Sequence, residues 1–100
     1  MFEPEKQVVV TKTLDSEIDR YFIFFMLQQI SKIPVKKDYL QIFRFSVIKN
    51  YLQFVEHEQE QPAYKVGYYL PDIPAISLYT GKVYAIDDGD HICIMLADDY

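Results

Sequence analysis

The stretch Val83–Tyr100, VYAIDDGDHICIMLADDY, most constrains what this chain can fold into. Two apolar, β-prone runs, Val83–Ile86 and Ile92–Ala97, flank a polar knot, Asp87-Asp88-Gly89-Asp90. Asp-Gly at such a point is a strong hairpin signal. A type I′ turn needs positive φ at both central residues, and Asp and Gly tolerate it best. The spacing predicts Asp88 and Gly89 at the centre of the turn, with Asp87 facing Asp90, Ile86 facing His91 and Tyr84 facing Cys93. Side chains alternate along a strand. Ile92, Ile94 and Leu96 therefore share one face, and Cys93, Met95 and Ala97 share the other. A strand with one wet face would alternate apolar with polar. This one does not, which predicts a central strand covered on both sides. The rest of the chain holds little material for two covering layers, so the second face calls for loops, the N-terminal segment or a second copy.

One hundred residues make a single domain, residues 1–100, able to fold without staples. Half the residues are apolar, a globular composition. Cys93 is the only cysteine, so no disulfide can form within the chain. The start, Met1-Phe2-Glu3-Pro4-Glu5, carries no basic segment followed by an apolar run. The longest apolar block, Tyr21–Leu27, is far short of the ~20 residues that span a bilayer. These features predict a soluble cytoplasmic protein with no membrane partner. The charge is uneven: residues 1–50 carry net +2, and residues 51–100 carry net −7. A nucleic-acid binder would show a basic patch, whereas the second half repels phosphate and attracts basic surfaces.

Residues 1–7 read as a loose end. Val8–Thr11 is β-branched and predicts a short strand. Asp15 or Ser16 offers an N-cap for a helix from Ser16 to Lys32. Ile18, Phe22, Phe25, Met26, Ile30 and Ile33 form its apolar stripe, but Ile23, Phe24 and Leu27 point elsewhere. Such a helix is either buried all round or presents an apolar patch to another chain. Pro34 and the lysines Lys32, Lys36 and Lys37 mark a wet connector. Tyr39–Val47 reads as a strand, Lys49-Asn50 as a turn and Tyr51–His57 as the returning strand. Glu58–Pro62 reads as a loop and Ala63–Leu70 as a third strand, ended by Pro71, Asp72 and Pro74. The expected fold is α+β: one N-terminal helix packed on an antiparallel meander of about five strands.

Candidate chemistry is sparse. Asp87, Asp90 and His91 are the residues that would hold a metal, but adjacent aspartates lack the ligand spacing of a calcium loop and fit a solvated turn. His91 and Cys93 share a strand face, yet their acidic and apolar surroundings disfavour a thiolate. His57 lies among Glu56, Glu58 and Glu60, whose carboxylates would favour its protonated form on a solvated strand end. No phosphate loop, zinc spacing or nucleophile elbow is present. The residues argue against an enzyme and call for no cofactor.

Carboxylates at strand ends and turns could instead imitate a phosphate track and occupy a basic nucleic-acid groove. The nine tyrosines exceed what a core needs, and tyrosine is enriched at interfaces. The expected partner-binding set is Glu56, Glu58, Glu60, Tyr68, Tyr69, Asp72, Tyr79, Asp87, Asp88, Asp90, Asp98 and Asp99.

Three stretches carry a resemblance: Asp38–Phe43, Glu58–Tyr64, and Val83–Tyr100 with its IDDGDH and MLA segments. In this order they are similar to a small family of Gram-positive bacteria and their mobile elements, catalogued as domain of unknown function 960. The likeness covers most of residues 8–100, and its last segment is the most specific. Tyr21–Leu27 and Val66–Ile76 match more loosely. The resemblance implies the cytoplasm of a Firmicute or its phage as a setting and brings no catalytic residue. Together these readings point to a small acidic protein-binding module. Its specific form would be an inhibitor of a host defence nuclease, similar in kind to an anti-CRISPR protein and seated on a basic nucleic-acid-binding surface without touching nucleic acid itself. A homo-oligomeric accessory protein, including a homodimer, is the second reading. A metal or thiol enzyme using residues 87–93 is the third.

Overall fold

The computed structural model describes all residues, 1–100. In chain order the elements are β1 Gln7–Val10, α1 Lys12–Glu17, α2 Arg20–Ser31, β2 Leu40–Ile48, β3 Leu52–Gln59, β4 Tyr64–Leu70, β5 Gly81–Asp87 and β6 His91–Leu96. The fold is α+β, but the sheet has six strands rather than about five, in the order β1-β6-β5-β2-β3-β4. It is also mixed. β1 runs parallel to β6, and every other pair is antiparallel. The cause lies in the crossover. The helices return the chain across one sheet face, so β2 starts in the same direction as β1. β6 lies two strands from β2, with β5 between them, and so shares that direction.

The single helix expected over Ser16–Lys32 is two. Ile18 is extended, with φ −112° and ψ 140°, and breaks it. Asp19 then caps α2: its Oδ1 accepts from the Tyr21 amide at 2.9 Å, and Ser77 Oγ donates to Oδ2 at 2.8 Å. A carboxylate satisfying the free amides of a first turn outweighs the apolar periodicity running through it. Helix α2 buries Phe22, Ile23, Phe25, Met26 and Ile30 against the sheet, while Phe24 stays 69% exposed. Of the two readings of the helix, the exposed apolar patch is therefore present, narrowed to Phe24 and Tyr21.

The terminal hairpin forms, with its turn displaced. Asp87 pairs with Ile92, Ile86 with Cys93 and Tyr84 with Met95. Gly89 and Asp90 are central, and of these only Gly89 has positive φ, 101°. That is the type II′ sign pattern rather than type I′. Asp88 decides it, since its Oδ1 accepts from the amides of Asp90 at 3.0 Å and His91 at 2.7 Å. This local side-chain turn replaces the expected one. The register shift is two residues, an even number, so every side chain keeps its predicted face.

Residues 1–7, read as loose, are tied down. Phe2 is buried in the core, and Gln7 already belongs to β1. The Phe2 amide donates to Asp87 Oδ2 at 2.6 Å, and Lys6 Nζ lies 2.8 Å from both Asp87 oxygens. The helix-facing layer of the sheet carries Ile92 and Ile94 of β6, Val83 and Ala85 of β5, Phe43 and Phe45 of β2 and Val55 of β3, all buried. Phe45 sits edge-on to Phe22 at 5.3 Å and to Tyr79 at 5.5 Å. The opposite layer has no α-helix or strand over it. Ile42 and Ile86 there are buried, but Leu40, Tyr84, Cys93 and Met95 are half-buried and Val9 is exposed, so the expectation of two fully covered faces is corrected and this is the open face.

Candidate functional site

Alternation and register together define the open face. From β1 to β4 it presents Val9; Cys93 and Met95; Ile86, Tyr84 and Lys82; Leu40, Ile42 and Arg44; Glu58, Glu56 and Phe54; Lys65 and Tyr69. Its composition falls into zones. Val9, Cys93, Met95, Ile86, Tyr84, Leu40 and Ile42 make an apolar field over β1, β6, β5 and β2. A charged band crosses the middle. Arg44 Nη1 binds Glu58 at 2.7 Å and Glu56 at 3.2 Å, and Lys65 Nζ lies 3.8 Å from Glu56. Glu58 raises the Arg44 pKa, and Arg44 lowers that of Glu58. Lys82 Nζ lies 5.5 Å from the centre of the Tyr84 ring. Beyond the band, Phe54 and Tyr69 pack at 5.0 Å.

The chain end folds back onto this face. Ala97–Asp99 forms one 3-10 turn, and Tyr100 meets the Tyr84 ring edge-on at 5.5 Å. The Tyr100 phenol beside Tyr39 raises the pKa of that residue.

The structure distributes the twelve expected partner-binding residues unevenly. Glu56 and Glu58 lie mid-face and are largely offset by Arg44 and Lys65. Glu60, Asp88 and Asp90 are exposed at the hairpin end of the sheet, and Asp72, Asp98 and Asp99 are exposed at the opposite end. They form two acidic ends rather than one track. Tyr69 is on the open face and 63% exposed. Tyr68 points to the other layer, edge-on to Phe25 at 5.4 Å, and burial raises its pKa.

Tyr79 and Asp87 are corrections, because both are interior. Burial would raise the Asp87 pKa, but the Lys6 ammonium and the amides of Phe2 and Gly89 outweigh it and hold it at about 2. Those same contacts occupy both Asp87 oxygens, so the carboxylate serves as a strut between β5 and the N-terminal segment. No group of three or more His, Cys, Asp or Glu side chains is arranged to hold a metal ion. Burial, with Asp88 nearby, pushes the Cys93 thiol up, away from the thiolate a nucleophile needs. None of the five surface hollows is lined by a histidine or by Cys93.

His57 is a further correction. It is fully buried, stacked on Phe43 at 4.3 Å, and its pKa is lowered to about 4 by burial. Its Nε2 meets Gln41 Oε1 at 2.7 Å. Gln41 Nε2 donates to Gln59 Oε1 at 2.7 Å, and Gln59 Nε2 donates to the carbonyls of Lys36 and Pro62. Gln53 plays the same part at the other end of β3, exchanging bonds with the Tyr79 backbone at 2.8 and 2.9 Å. This polar chain escaped the sequence reading. Its signal is the period-two row Gln53, Val55, His57, Gln59, which equally describes a wet face.

A mixed sheet with one helix-covered face and one open face defines a two-layer α+β protein. The chain belongs to the family described as staphylococcal protein of unknown function, DUF960, whose model matches residues 7–99. A crystal structure of a protein of unknown function from Enterococcus faecalis shares the fold. It has a TM-score of 0.83 at 18% identity, over 99% of this chain and 94% of that one. A comparison with curated proteins found no match. No helix is long and apolar enough to cross a membrane.

Proposed function

We propose that this chain is a non-catalytic protein-binding module whose contact surface is the open face of its sheet. One observation carries the reading: the apolar field around Met95, Tyr84 and Leu40 has no α-helix or strand over it, and these three side chains stay half-buried, with the Tyr100 ring against Tyr84. Half-buried apolar groups held in register, with tyrosine among them and charged groups beside them, match the anatomy of a protein contact. The two acidic ends favour a partner with a basic rim. The finer form is an inhibitor of a host nuclease. The apolar field would seat beside a basic nucleic-acid-binding groove, while Asp88, Asp90, Asp98 and Asp99 meet its lysines and arginines. Net charge −5 supports that polarity of partner.

The test is affinity capture from a Gram-positive host lysate at low and high salt, read by mass spectrometry. The expected result is a basic nucleic-acid-binding protein retained at low salt and released by high salt, because exposed charge pairs are screened. Recovery of this chain alone, insensitive to salt, contradicts the reading.

A further inference from the structure

The sheet has two edges, and they differ. β1 is four residues long. β4 is seven residues long, Tyr64–Leu70, and its register with β3 runs unbroken from Gln53↔Leu70 to Gln59↔Tyr64. Natural edges are blunted by shortness, proline, bulges, charged side chains or a covering helix or loop. β4 has no proline, no bulge and a single charge, Lys65. Its outer side offers a row of unpaired backbone donors and acceptors, whose matching chemistry is another extended strand.

We infer that β4 is a self-pairing edge: two copies of the chain join antiparallel through it, centred on Gly67. The register that places Gly67 opposite its counterpart aligns all seven residues. It sets Lys65 against the partner's Tyr69, Val66 against the partner's Tyr68, and Tyr64 against the partner's Leu70. Each pair occurs twice by symmetry. No like charges face each other, and an ammonium beside a tyrosine ring is attractive. A glycine at the centre of a strand is weak unless an aromatic covers it. Here the Phe54 ring does so, since a Cβ at Gly67 would come within 2.8 Å of Phe54 Cζ. An antiparallel edge-to-edge pair keeps both helix layers on one side. The two open faces then become one continuous surface.

The experiment is analytical ultracentrifugation across a micromolar concentration series, with circular dichroism to check folding. The wild type is expected to be a dimer. Tyr69→Lys sets a new ammonium against the partner's Lys65 twice per interface, and is expected to weaken the dimer about tenfold or more. Adding Lys65→Glu replaces that repulsion with two opposite-charge pairs and restores the dimer. Hydrogen exchange on the wild type gives an independent reading: β4 amides gain protection as concentration rises. A wild-type monomer throughout overturns the inference and leaves the edge to another protein's strand. A dimer that Tyr69→Lys leaves intact overturns it as well, because the copies then join elsewhere.

Discussion

His57 is the residue whose chemistry departs furthest from its sequence surroundings. Three glutamates precede or follow it within three positions, yet its ring lies in the core, where Gln41 accepts its Nε2 proton. A neutral imidazole is what these surroundings accommodate. The folded pKa of about 4 lies below the ordinary 6.5, so the unfolded chain takes up the proton first. Its stabilisation is therefore complete above 6.5 and is lost as pH falls from 6.5 toward 4. The loss reaches about 3 kcal/mol. Urea unfolding across that window measures it, and His57→Gln, which keeps a donor for Gln41, should flatten the slope. Asp87 behaves in the usual carboxylate sense. Its folded pKa of about 2 lies below the ordinary 3.8, so its contribution is present above 3.8 and is lost as pH falls from 3.8 to 2. Lys6→Met leaves that carboxylate buried without its cation. It should cost about 2 kcal/mol at neutral pH by the same measurement.

At the scale of elements, caps and turns decided what periodicity left open. Asp19→Ala removes the cap of α2 and its tie to Ser77, and should cost about 1 kcal/mol in thermal or urea unfolding. Gly89→Val should cost about 1–2 kcal/mol through its positive φ alone, since nothing lies within 4 Å of a Cβ placed there. An unchanged melting temperature would remove the turn assignment. The strands of the terminal hairpin and their faces were legible, because alternation survives an even shift of register. The turn centre was not: Asp87, Asp88 and Asp90 are all good turn residues, and only the Asp88 side-chain bonds to Asp90 and His91 choose among them. The helix break was hidden because Leu14 and Ile18 continue the apolar spacing while Ile18 itself is extended. Of the candidate site, Tyr69 and the exposed carboxylates were legible from composition. Tyr79 and Asp87 were not, because their burial depends on Gln53 and Lys6, partners far away in sequence.

The whole molecule is a sheet with one occupied face and one open face, with acid gathered at both ends. Helix α2 covers the first face, and no α-helix covers the second, where the chain end packs Tyr100 on Tyr84. The claim that this face is the contact surface is tested most directly by repeating the lysate capture with Met95→Glu. The variant places a charge at the centre of the apolar field. Phe24→Ser, on the outer side of α2, serves as the control, and both variants are checked for folding. The account predicts that the partner captured by the wild type is lost with Met95→Glu and retained with Phe24→Ser. Undiminished capture by a folded Met95→Glu protein would contradict it.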